Sequence, residues 1–290
     1  ISDTSSNSAA LLTTAQAAKK NTKNSFSLNE VPKYNGKASV VVHGNQPYFT
    51  SREKQNTKSF ESYHKLDKLG RCGVAYANVS IDTMPTEKRG EIGQIRPSGW
   101  HTVKYSGVVD GNYLYNRCHL IAYCLTAENA NKKNLITGTR YLNNEGMLPY
   151  ETKTAQYIDK TKNHVLYRVT PVFKGSDLVA SGVLMEAYSV EDQGKGISFC
   201  VYCYNVQPGV AIDYATGDSH LRGKNNQNSH KSSAKEHASA VYILNTNTKK
   251  FHKPDCYSVK QMRSKNRKKY KGLRKKLIKD GYSPCKNCNP

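Results

Sequence analysis

The sequence predicts an α+β fold, with a large domain on a central antiparallel or mixed sheet and a small C-terminal module. Segments rich in β-branched and aromatic residues, bounded by Gly, Pro, Asn or Asp, indicate strands in the first part of the chain. Helical patterns are fewer there. A polar run without apolar periodicity, residues 216–238, then indicates a linker. We therefore expect a large domain at residues 31–215 and a compact unit at residues 239–290.

Five segments of the large domain have the composition and length of strands. They are Ala38–His43, Val74–Ile81, Val165–Phe173, Leu178–Val190 and Ile197–Val206. One segment, Leu148–Lys160, has a helical pattern instead. Pro149 stands near its first turn, and Tyr150, Ala155 and Ile158 fall on one side. The sequence thus predicts more strand than helix.

The N-terminal segment, residues 1–30, is expected to be flexible. It is rich in Ser, Asn, Thr, Ala and Lys and has few residues that a core would bury. Such a composition is typical of a stalk that follows a cleaved signal peptide, so we expect the protein to be secreted. No run of 18 apolar residues occurs in the sequence, and we predict no membrane span.

The charge balance favours a polyanionic partner. The chain has 44 Lys and Arg against 22 Asp and Glu, which is a formal net charge of +22. Nucleic acid is the first candidate, because cations that neutralise phosphates release condensed counterions and bind without further specialisation. An anionic membrane or a cell wall is the alternative partner on charge alone.

A segment around His119 and two downstream positions supply the groups that phosphodiester hydrolysis needs. That reaction requires a base for water, a cation that stabilises charge on the phosphorane, and a group that holds the phosphate. His119 and Arg117 are a base and a guanidinium two residues apart, and Asn143 and Glu151 supply oxygen atoms downstream. Hard oxygen ligands of this kind suit Mg²⁺ or Mn²⁺.

The segment Asn116–His119 (NRCH) resembles the Asp-Arg-Gly-His motif of the DNA/RNA non-specific endonucleases, which are ββα-metal nucleases. A leading Asn and a varied third residue are typical of the secreted streptococcal-type branch. The family places a metal-ligating Asn some two dozen residues after the motif His, and a Glu eight residues after that Asn. Asn143 follows His119 by 24 residues, and Glu151 follows Asn143 by eight. The resemblance spans roughly residues 31–210, including the run at residues 82–90 (DTMPTEKRG).

The resemblance implies a mechanism with a single metal ion and 5′-phosphate products. His119 would be the general base, Asn143 would hold Mg²⁺ or Mn²⁺ directly, and Glu151 would orient the waters of the metal. Arg117 and Arg140 would steady the phosphate, because a guanidinium fork matches phosphate oxygens. We expect DNA to be bound through its backbone, since no base-reading helix is evident, and RNA stays open as a further substrate.

Departures from the motif and simpler explanations stand beside this interpretation. Asn116 cannot act as an anion, so any role that needs a carboxylate at that position is lost. A histidine in an apolar stretch is usually a paired structural residue, and adjacent Asn residues are common in turns. The conjunction of motif, both spacings and charge favours the nuclease. A non-catalytic DNA-binding or DNA-uptake protein and a nuclease toxin delivered to competitors are the alternatives, and a monomer is expected.

The C-terminal module has the spacing of a closed zinc site. His252 and Cys256 are four residues apart, and Cys285 and Cys288 form a later Cys-x₂-Cys pair. This pattern resembles the N-terminal zinc module of the bacterial alkylated-DNA repair regulator, with a His in place of its first Cys. A disulfide is the alternative staple for so small a unit. The basic run Lys260–Lys279 indicates phosphate binding, so we expect a nucleic-acid or cell-surface tether.

Overall fold

A computed structural model describes residues 26–222, 240–285, 288 and 290 of the chain. The α+β prediction is confirmed, with many strands and few helices. The described part of the large domain contains helices α1 (Tyr123–Thr126) and α2 (Leu148–Thr161) and the strands β1 (Ser39–Val41), β2 (Phe60–Tyr63), β3 (Ala75–Val79), β4 (Tyr115–His119), β5 (Leu135–Thr139), β6 (Val165–Val172), β7 (Gly182–Ser189), β8 (Ser198–Tyr204), β9 (Val210–Ile212) and β10 (Ser219–Leu221).

Six strands form an antiparallel central sheet in the order β1-β8-β7-β6-β3-β2. Because side chains alternate along a strand, β8 contributes to the apolar clusters on both faces of the sheet. Val201 and Cys203 belong to the larger cluster, and Cys200 and Tyr202 belong to the smaller one. The five strands and the one helix that the sequence predicts all occur, but the strands are shorter than predicted and α2 extends to Thr161.

A second unit, made of β4, β5 and α2, lies outside this sheet order. Strands β4 and β5 pair antiparallel with each other, and a π-helical turn, Leu142–Met147, leads directly into α2. The sequence analysis did not predict β4 and β5 as strands. Gly138 of β5 explains how closely they pack, because a Cβ there would lie 2.6 Å from the Cβ of Cys118. This ββα unit carries the predicted catalytic motif.

The ββα unit is fixed to the central sheet by buried aliphatic side chains. Leu142, Met147 and Ile158 are fully buried and share one cluster with Val169 and Met185 of the sheet. Burying an aliphatic side chain of this size stabilises the fold by roughly 1.5–3 kcal/mol. The π-helical turn and α2 are therefore held as one rigid element, and so are the side chains that they present.

The large domain extends beyond both predicted boundaries. Phe26 stacks on Tyr202 with ring centroids 6.0 Å apart, and Leu28 packs in the same cluster. The prediction of flexibility was therefore wrong for residues 26–30, and residues 1–25 lie outside the described residues. Strand β10 pairs with β9, so the linker prediction was wrong for residues 216–222. Its remainder, residues 223–238, lies outside the described residues.

The C-terminal module contains a four-stranded sheet and two short helices. Its strands lie in the order β13-β11-β12-β14, with β12 and β14 parallel. No helix among residues 26–222 and 240–285 is long and apolar enough to span a membrane. The elements of the module are β11 (Ala240–Asn245), β12 (Lys250–His252), α3 (Tyr257–Lys260), β13 (Arg267–Gly272), α4 (Arg274–Lys279) and β14 (Ser283–Pro284).

Candidate functional site

Two adjacent clefts share Arg89, His119 and Asn143 in their walls. The first cleft encloses about 660 Å³, which is ample for a nucleotide-sized group, and the second encloses about 440 Å³. Together the two clefts bring together every site residue that the sequence predicts in the large domain. The first is also lined by Asn116, Arg117 and Arg140, and the second by Glu151.

His119 ends strand β4, and its hydrogen bonding fixes which ring nitrogen carries the proton. Its side chain is buried, and the backbone carbonyl of Asn129 lies 2.8 Å from its Nε2. Since a carbonyl only accepts, the ring proton belongs on Nε2 and the lone pair is on Nδ1. The Nη2 of Arg89 lies 3.5 Å from that Nδ1. Burial, and then the charge of Arg89, lower the pKa of His119 to about 4, so the ring is neutral at pH 7.

The low pKa of His119 predicts a specific pH dependence of stability. Between about pH 6.5 and pH 4, the imidazole of His119 is protonated in the unfolded chain but stays neutral in the folded chain, because its pKa is lower there. Without metal, the wild type should therefore lose stability relative to a His119→Gln variant as the pH falls through that window. Urea denaturation of both proteins at pH 7 and pH 5 measures the difference. A difference that does not change with pH would contradict the assigned pKa.

Asn143 lies in the π-helical turn, which places it at the wall that both clefts share. Such a turn inserts one extra residue into a helix, and it occurs frequently at functional sites. The Nδ2 of Asn143 donates to the Oδ1 of Asn144 at 3.0 Å. The side-chain oxygen of Asn143, Oδ1, is then the atom that would bind a divalent cation. Asn144 lines the first cleft but not the second.

Glu151 lies in the first turn of α2 and is buried at the second cleft. Burial raises the pKa of its carboxyl to about 8, and the charge of Arg89 opposes this rise. A buried carboxylate is costly unless a cation compensates it, so this position suits an ion with its water shell. One neutral amide and one carboxylate beside an open cleft fit Mg²⁺, which keeps several waters and takes few protein ligands.

The arginines around the clefts hold loops as well as lining the walls. The guanidinium of Arg117 donates from Nη2 to Gly93 O at 2.6 Å, donates from Nε to Ile95 O, and lies 4.1 Å from the Trp100 ring. Arg140 donates from Nε to Asp110 O at 3.0 Å. Arg117 thus fixes the first cleft's wall, and phosphate contact by Arg117 and Arg140 stays a prediction.

Arg89 is the cleft residue to which the sequence analysis assigned no role. It lies 30 residues before His119, so no local spacing connects the two. The available signal was its place in the run at residues 82–90, which contributes to the family resemblance. The structure puts its guanidinium beside His119 and in both clefts.

The two motif positions that depart from the family have different surroundings. Asn116 lines the first cleft, and its buried Nδ2 has no hydrogen-bond partner among the described residues. Cys118 is fully buried, with its Sγ 3.5 Å from the Sδ of Met147. Cys118 therefore belongs to the core. None of the eight cysteines, all of which lie among the described residues, is in a disulfide in this structure, and the disulfide stays the alternative to a metal for the C-terminal module.

The four predicted zinc ligands converge in the C-terminal module. The ligand atoms of His252, Cys256, Cys285 and Cys288 all lie within 4.8 Å of one another. The His252 Nδ1 and the Cys256 Sγ are 3.6 Å apart. The buried Nε2 of His252 has no hydrogen-bond partner among the described residues. Three thiols and one imidazole at this distance form a candidate metal centre.

Comparison with known proteins defines the class of the large domain as a nuclease. Residues 50–191 match the family model described as DNA/RNA non-specific endonuclease, and this stretch includes His119, Asn143 and Glu151. The chain therefore contains a domain of the DNA/RNA non-specific endonuclease family, as its motif predicted.

Solved nuclease structures share the fold. NucA from Streptococcus agalactiae with magnesium bound is 25% identical with a TM-score of 0.55, over 63% of this chain and 86% of that one. The same nuclease without metal is 26% identical with a TM-score of 0.57, over 67% and 92%. The Sda1 nuclease with bound zinc is 25% identical with a TM-score of 0.53, over 64% and 97%. The similarity to streptococcal nucleases is thereby confirmed.

Proposed function

We propose that the protein is a Mg²⁺-dependent endonuclease that hydrolyses the DNA backbone without sequence preference. The observation that carries this proposal is the convergence of a neutral, buried His119 with Asn143 and Glu151 in one cleft. A protein that only binds DNA needs no desolvated base beside two oxygen ligands, so this arrangement favours catalysis. The magnesium-bound NucA neighbour supports the choice of ion.

Each residue of the cleft would have a different role in hydrolysis. The Nδ1 of His119 takes the proton of a water molecule as its oxygen attacks phosphorus. The P–O3′ bond breaks, and the leaving O3′ takes a proton from solvent water, so the products are a 5′-phosphate and a 3′-hydroxyl. Asn143 would hold Mg²⁺ and Glu151 would orient its waters; when bound, the ion stabilises charge on the phosphorane and the leaving oxygen. Arg89, Arg117 and Arg140 would steady the phosphate.

The proposed endonuclease would bind DNA without recognising particular bases. Three arginines and three asparagines are among the residues that line the first cleft. Contacts of guanidinium groups with phosphates position a nucleic acid but carry no sequence information. RNA is included as a second substrate to be tested. Secretion is part of the proposal, and its support is the polar composition of the N-terminal segment.

Cleavage of supercoiled plasmid tests this function. The full chain is incubated with plasmid and Mg²⁺, with and without EDTA, and an RNA transcript is assayed in parallel. We expect nicked and then linear DNA with 5′-phosphate ends in Mg²⁺ alone, with no preferred cutting site. Absence of cleavage in both Mg²⁺ and Mn²⁺, by protein that is folded, would overturn the proposal.

We further propose that the C-terminal centre holds one Zn²⁺ as a structural ion. Three thiolates and one imidazole form a closed tetrahedral set, which is typical of structural zinc. The module has two small apolar clusters, and Cys256 and Cys285 belong to one of them. So small a core needs a cross-link or a bound metal to be stable, and metal binding supplies folding free energy to small modules of this kind.

Replacing Cys285 by serine is expected to remove zinc and unfold the module. Structural zinc contributes roughly 10–16 kcal/mol of apparent binding free energy in small modules, far more than such a core supplies. Elemental analysis should find about one zinc per chain in the wild type and none in the variant.

Cys72→Ser is the matched control for that substitution. The Cys72 thiol is buried in the large domain and donates to two backbone carbonyls, a role that a hydroxyl can take. This control should retain the zinc. A wild-type protein without zinc, or a Cys285→Ser protein that keeps it, would contradict the proposed site.

A further inference from the structure

The C-terminal module contacts the nuclease domain along α2, the helix that carries Glu151. Gln156 Nε2 donates to the backbone carbonyl of Asp255 at 2.7 Å. The Nζ of Lys260 forms an ion pair with Asp159 at 3.4 Å. Exposed ion pairs contribute little stability, so these contacts define where the module lies more than how tightly it binds. They place α3 of the module beside the second cleft, which contains His119, Asn143 and Glu151.

Two residues of the module line the cleft that contains the catalytic residues. Tyr257, which begins α3, and Gln261, which follows its last residue, share the second cleft with His119, Asn143 and Glu151. Tyr257 is half-buried and Gln261 is exposed. One wall of the catalytic cleft is therefore built from the C-terminal module and not from the nuclease domain.

The candidate metal centre holds this wall in place. Cys256, a proposed zinc ligand, directly precedes α3. Val259 and Met262 pack into the same cluster as Cys256. The Nη2 of Arg267 also donates to the backbone carbonyls of Val259 and Met262, at 2.6 and 3.1 Å. A metal bound at Cys256 would thus fix the start of α3, and with it Tyr257 and Gln261.

The charge of the module suits the same partner as the cleft. Residues 240–290 contain fifteen Lys and Arg against two Asp, which is most of the positive surplus of the chain. Neither of these Asp residues lines the second cleft. The carbonyl of Asp255 bonds to α2, and the carboxylate of Asp280 pairs with Lys276 at 3.2 Å. The net positive charge of the module would therefore attract a polyanion towards the cleft.

We infer that the C-terminal module is part of the active site, and that Tyr257 and Gln261 bind the nucleic-acid strand beside the scissile phosphate. This inference rests on the proposed nuclease function. Tyrosine and glutamine both donate to phosphate oxygens, and a tyrosine ring also stacks on an unpaired base. The module therefore acts inside the cleft, where the sequence analysis expected only a tether.

A double variant, Tyr257→Ala with Gln261→Ala, tests this role in the full chain. We expect KM for a labelled DNA duplex to rise about ten-fold, from the loss of one stacking or phosphate contact, with a smaller change in kcat. The same double change is also made in a His119→Ala protein, which is expected to bind DNA without cutting it. There the double change should lower the affinity for this duplex, measured without metal, by a similar factor. Tyr257→Phe keeps the ring, so it shows whether stacking or the hydroxyl is used.

The matched control is Asn247→Ala with Thr248→Ala. These exposed residues lie in the turn between β11 and β12 of the same module and do not line either cleft. The control should keep the wild-type KM, and zinc content should be unchanged in both variants. If the cleft variant loses zinc, the single Gln261→Ala change decides, because its side chain is exposed.

Unchanged KM and affinity in the cleft variants, within two-fold, would overturn the inference. Its failure is distinguishable from failure of the proposed function. If the wild type binds duplex but does not cut it, the nuclease proposal fails, while the binding measurement still reports on Tyr257 and Gln261.

Discussion

Replacing His119 by alanine is expected to lower the rate of plasmid cleavage by ~10²–10⁴-fold, the typical contribution of a general base. The neutral ring presents its Nδ1 lone pair because Nε2 is engaged by the carbonyl of Asn129. No other described histidine lines the two clefts, so the variant has no substitute base there. Single-turnover cleavage of plasmid at saturating Mg²⁺ measures the effect.

His220→Ala is the matched control for that substitution. His220 is exposed on β10 and does not line the clefts, so its loss should leave the rate unchanged. DNA affinity of the His119→Ala protein should stay near that of the wild type, because the arginines of the cleft remain. Wild-type cleavage by the His119→Ala protein would show that the base lies elsewhere.

Replacing Asn143 by alanine is expected to reduce Mg²⁺-dependent cleavage by ~10²–10³-fold. Charge stabilisation by a bound metal is worth several kcal/mol, and each 1.36 kcal/mol is a factor of ten in rate. The neutral amide is the only proposed direct ligand, so its loss cannot be compensated by a second one. Titration of cleavage with Mg²⁺ measures both the maximal rate and the apparent affinity for the ion.

Asn144→Ala is the control that separates the two neighbouring amides. Asn144 accepts a hydrogen bond from Asn143 and lines the first cleft but not the second, so its loss should be milder. Glu151→Gln should be intermediate, because Glu151 is expected to orient metal-bound water and not to bind the metal itself. A larger loss for Asn144→Ala than for Asn143→Ala would show that the wrong amide was chosen.

Periodic segments of the fold could be predicted from the sequence, and irregular ones could not. Five of the six strands of the central sheet and α2 have apolar patterns from which the sequence predicts them, whereas the short strand β2 was not predicted. Strand β4 is short and carries the polar motif residues, so its composition does not resemble a strand, and Gly138 interrupts the short run of β-branched residues in β5. The π-helical turn at Leu142–Met147 depends on burial against the central sheet, which is a tertiary effect.

The residues of the candidate site also divide into those that the sequence predicts and those that only the fold brings together. His119, Asn143 and Glu151 were predicted because family spacing links them along the chain. Arg89 was missed because its proximity to His119 arises only on folding. The position of the C-terminal module was also hidden, because its contacts with α2 join residues about a hundred positions apart. Long-range docking of this kind leaves no periodic signal in the sequence.

Chemical rescue of a His119→Gly variant tests the central claim most directly. Glycine leaves a space at the end of β4 into which free imidazole can diffuse. If His119 is the general base, added imidazole should restore part of the lost plasmid cleavage in a concentration-dependent way, with no effect on the wild type. Restoration should follow the neutral form of imidazole as the pH is raised. A His119→Gly protein that cuts as fast as the wild type without imidazole would contradict the account.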